Sequence, residues 1–374
     1  MKRLFQSALL LVGLALSGCG RDNNNHVGTP IQPGQPIPPI ARVEFYLLSP
    51  NLSNRGLGVF RVDSLNGTLT PVGGAPYAAG SSFNHVAFDA GIRTVYASEA
   101  VTGQISGFRL NPENGSLEPL AGFPVASVPR GGVELDLDGD ELYVSGTDSI
   151  DGFRIDRNTG ALSRLGGFPL RVPGLVDAQV SRFAPNGFFY VADVGSDQIL
   201  TFAHDELTGA LSLVSSIPSG GTDPRAVEFD PTGSFMYLAE GDGTLQGFRL
   251  GANGSLTRLT GFPVRYAPPG AFTFDFAFDQ GNLYIGDVTS NTLNAFRVGP
   301  DGQLTQLGGY PATGGANSVL AYPTPTTFLY LSNRGANSIT GFRADAAGTR
   351  TSVPGSPFLG SGAPTALVPA VVSF

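Results

Sequence analysis

Residues 188–193 read FFYVAD, a short apolar segment centred on Tyr190, and six similar hexapeptides occur elsewhere in the chain. They are EFYLLS (44–49), TVYASE (94–99), ELYVSG (141–146), FMYLAE (235–240), NLYIGD (282–287) and FLYLSN (328–333). The intervals between successive tyrosines are 50, 47, 47, 47, 47 and 46 residues. A fixed period of this length is typical of an architecture built from repeated units.

Each unit contains the signals of four short strands. The tyrosine segment is followed by a phenylalanine segment, mostly Gly-Phe-Arg, and then by a turn such as ENGSL or LTGAL. A glycine there supplies the positive φ of a tight hairpin. A Gly-Phe-Pro segment, which suits an edge strand, and a fourth apolar strand complete the unit. Four antiparallel strands at this period predict an all-β protein made of β-propeller blades.

The two chain ends predict how the ring closes. We call the four strands of a blade a to d, from the centre outward. The strand around Tyr46 has no strand a before it, whereas residues 364–372 read as a strand a with no strand b after it. Pairing the two completes a seventh blade and leaves no open ring. We therefore expect residues 41–374 to form a seven-bladed propeller with four-stranded antiparallel blades.

Composition excludes several classes of protein. Gly (52) and Pro (29) are frequent enough to interrupt long helices, which excludes a helical bundle. A formal charge of -8 argues against nucleic-acid binding, which needs a basic surface. The only lysine is Lys2, so the exported protein would have no Schiff-base or phosphate-loop lysine. One cysteine and three scattered histidines argue against a disulfide or a metal centre of these residues, and no cofactor is expected.

The first forty residues read as an export signal and a tether. Lys2 and Arg3 precede an apolar run at residues 4–16, which is too short to cross a bilayer. The run ends in Leu-Ser-Gly-Cys19, which resembles the lipobox of bacterial lipoproteins. We expect residues 1–18 to be a signal peptide, Cys19 to be lipidated, and residues 19–40 to be an Asn- and Pro-rich tether. Gly20, rather than an acidic residue, follows the cysteine, which resembles the outer-membrane-sorted class of such lipoproteins, so we expect a lipid-anchored protein of the cell envelope at the outer membrane.

Propeller geometry indicates where a ligand site would lie. Strand a starts, and strand b ends, at the same face of the ring. The ends of the b strands carry Glu99, Asp193, Glu240 and Asp287, and the starts of the a strands carry Arg130, Gln179 and Arg225, among others. Acids and arginines thus share one rim of the channel. The alternative is that the acids only accept hydrogen bonds from turn amides.

The repeat resembles the lactonase propellers, the family that includes 6-phosphogluconolactonase and fungal muconate-lactonizing enzymes. The likeness is most specific at FAPNGFFYVADVGSDQI and DPRAVEFDPTGSFMYLAEG, both within residues 183–248. By that resemblance Arg225 matches a substrate-facing arginine, and Asp193 and Asp197 match an Asp-Leu-Gly-x-Asp motif. Glu240 matches the catalytic glutamate if one hairpin residue is deleted.

The chain also departs from that family at two expected histidines, which are Gln179 and Ala226 here. Neutral Gln179 cannot relay a proton. The remaining scheme uses Glu240 as general base and Arg225 as anion clamp, supported by Arg130 or Arg334.

Three functions stay open at this level. One is a degenerate propeller whose rim binds a small anionic or lactone ligand, or a protein or glycan partner. Another is an active lactone or ester hydrolase using Glu240 and Arg225. The last is cation binding by the rim carboxylates. In each case we expect a monomer that contacts the membrane through its lipid anchor only.

Overall fold

The computed structural model describes residues 42–52, 56–78, 81–99, 101–128, 132–135, 139–271, 273, 275–312, 314–322, 328–345, 349–360 and 362–374. Cys19, the predicted signal peptide at residues 1–18 and the predicted tether at residues 19–40 therefore lie outside the described residues. No helix long and apolar enough to cross a membrane occurs in the described ranges.

The described chain is built from β-strands arranged in seven sheets, numbered here as blades 1 to 7. Blade 1 begins with β1 (Val43–Pro50), β2 (Leu57–Val62) and β3 (Leu69–Pro71). Blade 2 contains β4 (Phe83–Asp89), β5 (Thr94–Glu99), β6 (Gln104–Leu110), β7 (Leu117–Pro119) and β8 (Val125–Ala126). Blade 3 contains β9 (Gly132–Leu135), β10 (Glu141–Ser145), β11 (Ser149–Ile155), β12 (Leu162–Arg164) and β13 (Leu170–Arg171). Blade 4 contains β14 (Ala178–Phe183), β15 (Phe189–Asp193), β16 (Gln198–His204) and β17 (Leu211–Pro218).

The remaining blades repeat the same order. Blade 5 contains β18 (Pro224–Phe229), β19 (Phe235–Glu240), β20 (Thr244–Leu250), β21 (Leu256–Arg258) and β22 (Val264–Arg265). Blade 6 contains β23 (Phe276–Asp279), β24 (Asn282–Asp287), β25 (Thr292–Val298) and β26 (Leu304–Pro311). Blade 7 contains β27 (Ala316–Tyr322), β28 (Phe328–Asn333), β29 (Ser338–Ala344), β30 (Arg350–Ser352) and β31 (Phe358–Leu359).

The last strand, β32 (Val368–Ser373), is the innermost strand of blade 1, where it lies beside β1. A bridge between Asn51 and Pro364 extends this pairing. The predicted seven-bladed propeller and its closure by the C-terminal strand are therefore confirmed. The strands of all seven sheets lie in the unit Glu44–Val372, except for the terminal residues Val43 of β1 and Ser373 of β32. A second small unit includes Arg42 and Phe374, whose backbones exchange two hydrogen bonds.

The outermost strand differs among the blades. In blades 2, 3, 5 and 7 it is split into two short strands that pair with the same neighbour. The split falls at cis prolines, which are Pro124, Pro169, Pro263 and Pro357. Proline cannot donate to a ladder, so it is tolerated at this outer edge. In blades 4 and 6, β17 and β26 run unbroken for eight residues.

The first strands of neighbouring blades, from β4 to β27, contact one another around the axis. They are the inner wall of the ring. In four blades this strand carries one extra residue near its start, because the register shifts there. The extra residues are Asn84, Gln179, Arg225 and Asn317. A β-bulge changes the local direction of a side chain, and these four blades have it at the same position.

Candidate ligand site at the channel mouth

Arg225 and Glu240 occupy the same mouth of the channel because their strands are paired. Pro224, the first residue of β18, pairs with Glu240, the last residue of β19. Arg225 is the extra residue of the bulge, between Pro224 and Ala226. The sequence analysis placed both residues at the rim, and the strand pairing puts them at neighbouring positions.

Glu240 is wholly buried, with an exposed fraction of 0%. Its Oε1 accepts one hydrogen bond, from the Gly221 amide at 3.2 Å. Its Oε2 has no hydrogen-bond partner of good geometry among the described residues. Burial raises the pKa of Glu240 to about 7, while the side chain of Ser219 and the Gly221 amide oppose that rise. The carboxyl can therefore exchange a proton near neutral pH.

Arg225 is the cation of this mouth. Its guanidinium donates to Asp223 Oδ2 at 2.7 Å, and its side chain is 22% exposed. Asp223 is in turn held by blade 4, since its amide donates to Asp197 Oδ1 at 2.6 Å. Asp197 takes a positive φ of 55° in its hairpin, which aspartate tolerates better than most residues. The structure therefore joins Asp197, Asp223 and Arg225 in one chain of contacts across two blades.

Tyr266 places a phenol next to Glu240. Its hydroxyl donates to the Glu240 carbonyl at 3.3 Å. Burial raises the pKa of Tyr266, and the nearby carboxylates of Asp287 and Asp242 raise it further. The sequence analysis missed Tyr266 and Asp223. Asp223 could have been recognised in the sequence, because an Asp-Pro pair directly before Arg225 places a carboxylate within reach of that guanidinium.

Asp193, at the matching position of blade 4, has a different environment. Its two carboxylate oxygens accept bonds from the amides of Val176, Asp177 and Gly195 and from the Ser196 hydroxyl. Asp287 likewise accepts from the amides of Thr289 and Ser290. These bonds hold turns in place, whereas Glu240 accepts one amide bond, from Gly221.

The other candidate residues are spread around the ring. Gln179 is the bulge residue of β14, at the position that corresponds to Arg225. Arg334 is exposed in the hairpin between β28 and β29, and the hydrogen bonds and ion pairs of the described residues do not connect it to Arg225. Arg130 lies outside the described residues.

A second charged cluster lines the channel wall and was also missed by the sequence analysis. Arg182 donates to Asp275 Oδ1 at 2.8 Å and to the Val227 carbonyl at 2.9 Å, and it lies 3.3 Å from Glu228 Oε2. Glu134 and His85 also interact electrostatically with the Arg182 guanidinium. Glu134, Arg182 and Glu228 are equivalent positions, because each pairs with the repeated tyrosine of its blade. In the sequence, a charged residue opposite that tyrosine, where other blades have Ala or Leu, would have indicated this cluster.

These channel groups are partly buried, and Arg182, Glu228 and Asp275 each keep about a quarter of their side-chain surface accessible. Burial raises the pKa of Glu134 to about 7, against the effect of Arg182. It likewise raises the pKa values of Glu228 and Asp275. It lowers the pKa of His85 to about 4, which keeps that imidazole neutral at ordinary pH.

Cation binding has little support at either cluster. The described residues include no group of three or more His, Cys, Asp or Glu side chains arranged to hold a metal ion. The rim carboxylates are directed instead to amides of their own turns and connections.

Comparison with known proteins places the sequence in a family. The profile described as lactonase, 7-bladed beta-propeller, matches residues 40–173 and 177–272, which is more than half of the chain. No curated protein sequence matches this chain.

Solved structures share the fold at low identity. A protein from Lactobacillus plantarum is 19% identical, with a TM-score of 0.72, and the match covers 88% of this chain and 99% of that one. A periplasmic gluconolactonase from Pseudomonas aeruginosa is 20% identical, with a TM-score of 0.69 and the same coverage. Virginiamycin B lyase from Staphylococcus aureus is 13% identical, with a TM-score of 0.55 and again 88% and 99% coverage. At these identities the likeness shows the fold alone.

Proposed function

Because this chain belongs to the family of seven-bladed lactonase β-propellers, we propose that it is a ligand-binding propeller of the cell envelope with a degenerate catalytic site. Its ligand is a small carboxylate, or a lactone that opens to one, held at the channel mouth by Arg225. Lipidation of Cys19 and the tether at residues 19–40 would fix it to the outer membrane.

One observation carries this proposal, which is the contrast between Arg225 and Glu240. Arg225 is partly exposed on a bulge, with Asp223 holding one of its guanidinium nitrogens. A guanidinium presents five donors, so a carboxylate can bind it in two-pronged geometry beside Asp223. Glu240 is fully buried, so it cannot touch a ligand at the mouth in this conformation.

The missing histidines support the same conclusion. Gln179 and Ala226 stand where the family resemblance implies histidines, and neither side chain can relay a proton. A site that keeps its anion clamp and lacks its proton relay is suited to binding rather than turnover.

A hydrolase is the second candidate, and a specific observation favours it. The pKa of Glu240 is raised to about 7 and its Oε2 accepts no well-formed hydrogen bond from the part of the chain that the structure describes, which are properties of a general base. A fold relative from Pseudomonas aeruginosa is described as a periplasmic gluconolactonase, which supports a lactone as the substrate of such a hydrolase.

Calorimetric titration with sugar lactones and their open acids tests both candidates. We expect the open acid to bind and Arg225→Ala to weaken binding at least tenfold, with no change in melting temperature. Arg249→Ala is the matched control, because Arg249 pairs with Phe235 at the opposite end of β19 and stacks on that ring at 4.7 Å. Steady lactone hydrolysis that is lost in Glu240→Gln would favour the hydrolase. Binding unaffected by Arg225→Ala would contradict the proposed site.

A further inference from the structure

The connection between blades 4 and 5, residues 219–223, covers Glu240, and we call it the strap. It reads Ser-Gly-Gly-Thr-Asp and joins β17 to β18. A Cβ built on Gly221 would lie 2.7 Å from Glu240 Cγ. Such a contact is closer than side chains tolerate, so only glycine allows the strap to lie directly against this carboxyl.

The other side of the strap is held by Arg258, from β21. Its Nη1 donates to the Ser219 carbonyl at 3.1 Å and its Nη2 to the Pro218 carbonyl at 3.0 Å. The guanidinium also lies 5.0 Å from the Phe248 ring and bonds Gln246 Oε1 at 2.9 Å, which fix its position. A Cβ on Gly220 would lie 1.9 Å from Arg258 Nη1. The two glycines therefore run between a carboxyl on one side and a guanidinium on the other.

The ends of the strap are anchored separately. The Ser219 amide donates to the Asp197 carbonyl at 2.8 Å, and the Asp223 amide to the Asp197 carboxylate at 2.6 Å. Between these fixed ends, the Gly221 amide donates to Glu240 Oε1 and to no other described residue, and Gly220 has a φ of 106° that suits glycine. Pinned ends around a flexible Gly-Gly centre are the geometry of a short hinged segment.

We propose that the strap is a gate over Glu240 and that Arg258 is its latch. In the closed form Glu240 is shielded, and the mouth offers Arg225 beside Asp223. When the strap lifts, Glu240 joins Arg225, Asp223 and Ser219 at one open surface. Arg258 is a positioning residue, since it acts on the site through the strap. As a device that controls the ligand site, the gate rests on the proposed function, although access to Glu240 can be measured without any ligand.

Carbodiimide labelling with an amine, read by peptide mass spectrometry at pH 6, tests the gate. In the wild type we expect Glu240 to react far more slowly than Glu206, which is exposed. Arg258→Gln removes the two-pronged grip on the carbonyls, so labelling of Glu240 should rise at least fivefold and amide exchange of residues 219–222 should accelerate. Arg249→Gln is the control, because Arg249 also stacks on a phenylalanine ring of blade 5 and none of its recorded contacts involves the strap. It should leave both rates unchanged.

Arg258→Lys keeps the stem packed on Phe248 and replaces the fork by one ammonium, so it should give an intermediate labelling rate. It also preserves the test if Arg258→Gln does not fold. Equal labelling of Glu240 in the wild type, Arg258→Lys and a folded Arg258→Gln would overturn the gate. Faster labelling of Glu240 in the Arg258 variants, without calorimetric binding of any ligand, would support the gate and contradict the proposed function. Ligand binding at Arg225, with labelling of Glu240 unchanged in those variants, would support the proposed function and contradict the gate.

Discussion

The Tyr96 hydroxyl in blade 2 donates a 2.8 Å hydrogen bond to the Gly160 carbonyl in blade 3. The same bond, from the repeated tyrosine to the outer hairpin of the next blade, recurs around the ring. It joins Tyr46 to Pro112, Tyr143 to Gly209, Tyr190 to Gly254, Tyr237 to Gly302 and Tyr330 to Gly67. The residue that defines the repeat in the sequence is thus also the tie between successive blades.

Tyr96→Phe should lower the free energy of unfolding by about 1–2 kcal/mol, because a buried carbonyl loses its donor while ring packing is kept. The measurement is denaturant unfolding at constant m-value. Tyr77→Phe is the control, since Tyr77 donates to the Gly73 carbonyl within its own blade and at an exposed position. A loss for Tyr77→Phe equal to that for Tyr96→Phe would show that the inter-blade bond has no special weight.

Ring closure gives a second prediction. Removal of residues 364–374 takes away β32 and exposes the inner edge of β1. An unpaired strand edge invites association, so the truncated chain should unfold or form oligomers. Size-exclusion chromatography and thermal melting measure this. A monomer with an unchanged melting temperature would mean that β32 contributes nothing to closure.

Anchoring rests on sequence alone, because Cys19 lies outside the described residues. Cys19→Ala should move the protein from the membrane fraction to the soluble fraction, since a diacyl or triacyl anchor is lost. Its melting temperature should not change, because an Asn- and Pro-rich tether has no hydrophobic core to contribute. Retention in the membrane pellet would count against lipidation.

The channel carboxyls predict an unusual pH dependence of stability. The pKa of Glu134 is raised in the folded state to about 7, so folding takes up a proton between its unfolded pKa and pH 7. The stabilisation is complete below the unfolded pKa and is lost as pH rises through about 7. Glu228 and Asp275, whose pKa values are also raised beside Arg182, act in the same direction.

Denaturant unfolding at pH 5, 6, 7 and 8 should therefore show a fall in stability with rising pH, to which Glu134 contributes on the order of 1–3 kcal/mol. Glu134→Gln should flatten this slope, because the amide does not titrate. Glu206→Gln, at an exposed hairpin, should not alter it. Identical slopes of stability against pH for the wild type and Glu134→Gln would show that Glu134 does not contribute to the pH dependence.

The sequence predicted the ring well and the site only in part, and the reason is physical. Blades, closure and the pairing of Arg225 with Glu240 follow from a strand period and a hairpin register, which are properties of near neighbours in the chain. The burial of Glu240 depends on the close approach of Gly221, and the guanidinium on the other side of Gly220 belongs to Arg258, almost forty residues later in the chain. The channel cluster likewise combines residues of five blades. Such distances between distant segments are not encoded in any local pattern.

The last prediction links Glu240 to ligand affinity. Below pH 7 its buried carboxyl is mostly neutral, and above pH 7 it ionises in the blade that also carries Arg225. A negative charge there repels an anionic ligand, so affinity for an open sugar acid should fall about three- to tenfold between pH 6 and pH 8. Glu240→Gln should bind the acid equally at both pH values, because its side chain stays neutral. Calorimetric titration at the two pH values measures this, with Glu206→Gln retaining the wild-type fall. A pH-independent affinity in the wild type would show that the proton on Glu240 does not affect the ligand at Arg225.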